Sequence, residues 1–144
     1  NNPNADVRLF TPGGRQIFSR QAQLDSELIT LSESGTYFLI VSSNSATNTS
    51  VNFRLFDNSA SGAASLTLDT NIFNSFSNGG LETDLYRFNS TAGQYLYFDS
   101  IAGTTPNTWT LYGPSGQQLD SKDLGKDFEI ALPSTGQYLL ANIG

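Results

Sequence analysis

Two stretches of this chain match each other, so a fold open to one must be open to the other. Val7-Arg8-Leu9-Phe10-Thr11-Pro12-Gly13-Gly14-Arg15-Gln16 runs alongside Trp109-Thr110-Leu111-Tyr112-Gly113-Pro114-Ser115-Gly116-Gln117-Gln118, with Leu9 matched to Leu111 102 positions on. Leu28-Ile29-Thr30-Leu31 then resembles Glu129-Ile130-Ala131-Leu132. Gly35-Thr36-Tyr37-Phe38-Leu39 resembles Gly136-Gln137-Tyr138-Leu139-Leu140, with Gly35 matched to Gly136 101 positions on, one residue having been lost in the loop between. The repeat is therefore about 102 residues long. Residues 1–58 read as the C-terminal half of one repeat, and 59–144 as most of a second. The second stops before a counterpart of Val51-Asn52-Phe53-Arg54-Leu55-Phe56-Asp57, so it is expected to lack its last strand.

Within each copy the apolar residues alternate, which is the period of a half-buried strand. Tyr86 and Phe88 are expected to face the core and Arg87 to face water. Phe128, Ile130 and Leu132 point inward around Glu129, Leu66 and Leu68 around Thr67, and Val51, Phe53 and Leu55 share a face. No apolar stripe of helical period persists for three turns, so no substantial helix is expected. Thr11-Pro12-Gly13-Gly14 and Gly113-Pro114-Ser115-Gly116 place proline early, where its φ suits a turn, and glycine late, where positive φ is needed. Many short strands with turn signals between them predict an all-β, antiparallel β-sandwich.

Composition narrows the chemistry. Net charge is −6 and the seven Lys and Arg residues are scattered, so no basic stripe is available to neutralise phosphates. The chain has no Cys and no His, which removes disulfides, thiolate chemistry and the Ser-His-Asp and Cys-His arrangements. The absence of Met reads as a segment excised or processed from a longer chain. The longest apolar run, Tyr37 to Val41, is far too short to span a bilayer.

Three sets of side chains remain as candidates. Glu82 and Asp84, with Asp99, could in principle form a glycosidase-like carboxylate pair, but a solvated strand edge explains them more simply. Calcium takes six to eight oxygen ligands. Asp120, Asp123 and Asp127 form one acidic cluster that could contribute them, and Glu82 and Asp84 form another. Neither has EF-hand spacing, and Lys122 and Lys126 interrupt the first. Tyr95 and Tyr97 fall on the outward parity if Leu96 and Phe98 face the core. Tyr112 and its counterpart Phe10 fall outward opposite Trp109, Leu111, Val7 and Leu9. Outward aromatic rings can stack on sugars or grip a protein, although a neighbouring loop or repeat often covers them.

Glu82-Thr83-Asp84-Leu85-Tyr86-Arg87-Phe88, then Ala92-Gly93-Gln94-Tyr95-Leu96-Tyr97-Phe98-Asp99, resemble the opening of the bacterial pre-peptidase C-terminal domain. The later Leu111-Tyr112-Gly113-Pro114-Ser115-Gly116 and Gly136-Gln137-Tyr138-Leu139-Leu140 resemble its following segments. That resemblance implies a jelly-roll-like sandwich, found in tandem in large secreted bacterial and cyanobacterial surface proteins. It also implies an extracellular or cell-surface location and, by way of related collagen-binding modules, possible calcium binding. The expected role is non-catalytic: a structural or adhesive repeat, a filament component or adhesin. Its partners would be neighbouring repeats or copies of itself, joined by strand complementation. The alternative is a carbohydrate- or protein-binding accessory module of a secreted hydrolase.

Overall fold

A computed structural model describes residues 5–22, 24, 26, 28–46, 50–55, 57, 62–73, 75, 83–102 and 107–143. The described residues form strands and turns with no helix. The strands are β1 (Ala5–Phe10), β2 (Gln16–Gln21), β3 (Phe38–Ser43), β4 (Ala64–Ser65), β5 (Thr83–Ser90), β6 (Tyr95–Phe98), β7 (Thr108–Tyr112), β8 (Gln118–Asp123), β9 (Phe128–Ala131) and β10 (Gly136–Ile143). The chain divides into two compact units, Asn1–Leu55 and Phe56–Gly144. The expected repeat boundary, between residues 58 and 59, and Glu82 lie outside the described residues.

The C-terminal unit has two layers. A five-stranded sheet runs β4-β5-β10-β7-β8, and a two-stranded sheet pairs β6 with β9. All neighbours are antiparallel except the short β4, which lies parallel to β5. Alternation decides which side chains enter the space between the layers. Tyr86 and Phe88 from β5, Trp109 and Leu111 from β7, and Tyr138 and Leu140 from β10 meet Phe128 and Leu132, with Leu96, Phe98 and Ile130 packed alongside. Phe98 stacks on Phe128 at 4.2 Å, and Trp109 meets both rings edge-on. Edge-to-face and offset aromatic pairs of this kind add to the gain from area burial. Leu66 and Leu68 pack against the same core.

The described strands of the N-terminal unit form one sheet, β2-β1-β3. Its order matches β8-β7-β10, and the match extends to individual bonds. In both places β1 or β7 opposes its hairpin partner with a register shift, between Leu9 and Phe10 and between Leu111 and Tyr112, which leaves Ile17 and Leu119 as the extra residues. A β-bulge of this kind bends the strand and increases its twist. At the turns Gly14 N–H donates to the Thr11 carbonyl and Gly116 N–H to the Gly113 carbonyl, both at 2.9 Å. Gly14 and Gly116 have φ of 81° and 80°, a region that costs glycine nothing. Ala22 N–H reaches the Ala5 carbonyl and Leu124 N–H the Asn107 carbonyl, both at 2.7 Å.

The long strand of each set is anchored in the same way. Tyr37 Oη donates to the Glu33 carbonyl at 2.8 Å, and Tyr138 Oη to the Ser134 carbonyl at 2.6 Å. Each hydroxyl also accepts the backbone N–H of that same residue, at 3.1 and 3.2 Å. Cross-strand register agrees as well: Phe10 faces Phe38 and Leu9 faces Leu39, as Tyr112 faces Leu139 and Leu111 faces Leu140.

Two expectations from the alternation are not met. Residues 51–55 and 57 form no strand, and Phe53 and Leu55 are exposed. Alternation marks a segment as able to form a strand, but no described strand offers it a hydrogen-bonding edge. Likewise Leu28-Ile29-Thr30 is not in a strand, although its counterpart forms β9. In the C-terminal unit β9 pairs with β6, and no described strand plays the part of β6 in the N-terminal unit.

Candidate functional site

Two surfaces stand out: the outer edge of β3 and the exposed face of β6.

β3 pairs with β1 along one side and with no described strand along the other. Its first four residues, Phe38-Leu39-Ile40-Val41, are all apolar, before Ser42 and Ser43. That pattern belongs to a strand covered on both faces, not to one with a wet side. The counterpart β10 is such a strand, flanked by β5 and β7, and its Tyr138, Leu139, Leu140 and Ala141 are all buried. In β3, Phe38 is 54%, Ile40 47% and Val41 41% exposed. A strand edge presents unpaired N–H and C=O groups and is a template for another strand. Here it is lined by large apolar side chains with none of the charges that usually blunt such an edge. The apolar run was visible in the sequence. The missed signal was its lack of alternation.

The β6 face follows from parity. Leu96 and Phe98 enter the core, so Tyr95 and Tyr97 project outward, each 62% exposed. Their positions two residues apart on one strand place the rings about 7 Å apart on the same face. Tyr97 Oη donates to Asp127 Oδ2 at 2.9 Å, and the other oxygen, Asp127 Oδ1, accepts the Ser100 backbone N–H at 2.9 Å. These bonds hold the Asp127 carboxyl below the usual aspartate range, the Ser100 N–H contributing most and the Tyr97 hydroxyl next. The same hydroxyl–carboxylate bond pushes the Tyr97 phenol up from its ordinary value. Tyr97 therefore stays protonated at neutral pH and keeps its ring tethered beside Tyr95.

Tyr112 is not an open ring, which corrects the expectation that it projects outward into solvent. Tyr112 is only 5% exposed. Parity gives the side of the sheet but not what covers it. β7 has a strand on each side, and Tyr112 lies directly across from Leu139, itself buried. Phe10 is half-buried and belongs to the N-terminal unit, where it lies across from Phe38 beside the β3 edge.

The acidic candidates are also dispersed. Asp120 pairs with Lys122 Nζ at 2.8 Å, which lowers its pKa. Asp127 is committed to Tyr97 and Ser100, Asp123 ends β8, and Asp84 lies in β5 with interactions of its own. Among the described residues no three carboxylates gather as a metal-binding group. A shallow depression of about 500 Å³ lined by Leu68, Asn89, Ser90, Thr91, Gln94 and Thr135 carries no titratable side chain among its described residues. No described helix is long and apolar enough to cross a membrane.

Comparison with known proteins returned no matching family model, no matching curated protein and no matching solved structure.

Proposed function

We propose that this chain is a non-catalytic structural or adhesive part of a secreted bacterial surface protein, which spaces or assembles its parent through strand edges and surface contacts. The observation that carries this reading is the β3 edge, a strand with an apolar run suited to burial on both faces and with no described strand along one side. The paired bonds of β1-β2-β3 and β7-β8-β10 support tandem copies of one module of about 102 residues. The resemblance to pre-peptidase C-terminal domains favours a jelly-roll-like sandwich, placed outside the cell. The test is light scattering of the chain after size exclusion, across a concentration series, in calcium and in chelator. Concentration-dependent multimers are the expected result. A monomer at every concentration would sink the assembly reading. Compaction in calcium alone would return the acidic loops, including Asp123 and Glu82, to the role of ligands.

A second reading rests on Tyr95 and Tyr97, two phenol rings on one face with one ring tethered by Asp127. Such a face can stack on sugar rings, as an accessory module of a secreted hydrolase would require. Retardation by soluble polysaccharides in native gels, abolished by Tyr95→Ala with Tyr97→Ala, would support it. Equal mobility across a polysaccharide panel would remove it.

A further inference from the structure

We infer that the outer face of the β6–β9 sheet binds a cationic amino sugar, whose ring stacks on Tyr95 or Tyr97 and whose ammonium group meets the carboxylates beside them. This inference rests on the sugar-stacking reading of that face and adds the charge and class of the sugar.

The face is built by the pairing of two short strands. Tyr95 lies across from Ala131, and Tyr97 across from Glu129. Glu129 and Ala131 are exposed, as both tyrosines are, so all four lie on the outward side. The cross-strand neighbour of Tyr95 is thus only a methyl group, which crowds the ring little. Past the pair Phe98–Phe128 the register leads on to Asp99 and Asp127, which have the parity of Tyr97 and Glu129 and are exposed like them. Asp127 belongs to this side by direct contact, since its Oδ2 accepts the Tyr97 hydroxyl at 2.9 Å. The face is therefore graded, with ring surface at the Tyr95 end and three carboxylates towards the Tyr97 end.

Charge selects the ligand. Among the described residues no Lys or Arg forms an ion pair with Asp99, Asp127 or Glu129, and that includes Lys126, the chain neighbour of Asp127. The three carboxylates do not gather as a metal-binding group, so they make a spread negative field and not the ligand shell of one ion. All three nevertheless act on the Tyr97 phenol, which is raised first by its bond to Asp127 and further by the charges of Asp127, Asp99 and Glu129. An anionic sugar is repelled by such a field, and a neutral one gains only hydrogen bonds from it. A cation gains twice, from the negative faces of the rings and from the carboxylates. An amino sugar joins both halves of the face in one unit: its C–H side lies on a tyrosine ring, and its ammonium group reaches a carboxylate. Tyr95 and Tyr97, about 7 Å apart, offer two rings to successive units of an oligomer. A basic peptide would answer the carboxylates but has no saturated ring to lay on the tyrosines.

The test is isothermal titration of the whole chain at low salt with three probes: the glucosamine tetramer, its N-acetylated form and tetralysine. Acetylation removes the charge and keeps the ring, so the glucosamine tetramer should bind about tenfold tighter or more. Tyr95→Ala with Tyr97→Ala should abolish that binding, and Asp99→Asn with Glu129→Gln should weaken it about fivefold. Trp109 fluorescence checks that each variant is folded. Glu33→Gln, which removes a carboxylate from the N-terminal unit, should leave the affinity unchanged. An equal loss in Glu33→Gln would mean attraction to net charge and would overturn the site. Equal affinity for the two sugar tetramers would overturn the cationic assignment while the stacking reading stood. Binding of neither would end both. Tetralysine bound as tightly, with the same dependence on Tyr95 and Tyr97, would overturn the amino sugar in favour of a basic peptide.

Discussion

Replacing Tyr138 with Phe isolates the value of one hydroxyl. The ring is fully buried and stacks on Phe88 with an interplanar angle of 17°, and Phe keeps both the burial and the stacking. What goes is the Oη that donates to the Ser134 carbonyl at 2.6 Å and accepts the Ser134 N–H at 3.2 Å. Each bond contributes about 1 kcal/mol net, and a buried group left unpaired costs more. Ser134 is only half-buried, so water can reach part of what is lost, and the expected destabilisation is about 2 kcal/mol. For a unit of this size that corresponds to a fall in melting temperature of roughly 8–16 °C. Trp109 is the only tryptophan and sits in the core of the C-terminal unit, so its fluorescence reports the relevant transition. A loss below about 0.5 kcal/mol would refute the reasoning, since it would mean the hydroxyl closes nothing that water cannot replace.

Other perturbations bear on separate features. A Cβ at Gly136 would lie 2.8 Å from Pro114 Cγ at a φ of +153°, so Gly136→Ala should cost about 1–3 kcal/mol of stability, read from the unfolding transition of Trp109; an unchanged midpoint would show that the turn yields freely. Asp127→Asn removes the main cause of the raised Tyr97 pKa, so ultraviolet titration should show one tyrosine ionising at lower pH than in the parent, and superimposable curves would contradict the Tyr97–Asp127 bond. The Asp127 carboxyl is depressed in the folded chain, so its stabilising contribution is present above the unfolded pKa and fades as pH falls through the folded one. The stability difference between parent and Asp127→Asn should accordingly shrink on acidification below the ordinary aspartate range, and a difference that grows there would reverse the sign of the argument.

Period-two patterning was a sound guide wherever a strand had neighbours. Tyr86, Phe88, Phe128 and Leu132 lie in the core as their parity requires, and Arg87 and Glu129 do not. The same patterning failed for Val51-Asn52-Phe53-Arg54-Leu55, because alternation describes a face and says nothing about a partner edge. It failed for Tyr112 for a related reason: parity gave the side of β7 on which the ring lies but not whether that side is covered. In the first acidic cluster, closeness in sequence is not convergence in space. Asp120 turns to Lys122 on its own strand, while Asp127, beyond the following turn, reaches Tyr97 and Ser100. The tether on Tyr97 joins positions 30 residues apart and has no local signature.

Tyr37 and Tyr138 show where local and non-local control part. Their hydroxyls close on residues four positions upstream with nearly the same geometry, because the turn and the tyrosine lie within one short segment and need nothing else. Their burial differs, because burial is supplied by other strands: Tyr138 has Phe88 of β5 across from it, and Tyr37 has no described strand there. The same division explains β3. Its conformation, its anchor and its pairing with β1 come from a segment that matches β10, whereas its exposure goes with having no described strand on its other side. Leaving Phe38, Ile40 and Val41 in water forfeits roughly 25 cal/mol for each Å² of apolar surface that a covering strand would remove. The exposure of these three side chains is thus set by what lies beside β3 and not by the strand itself.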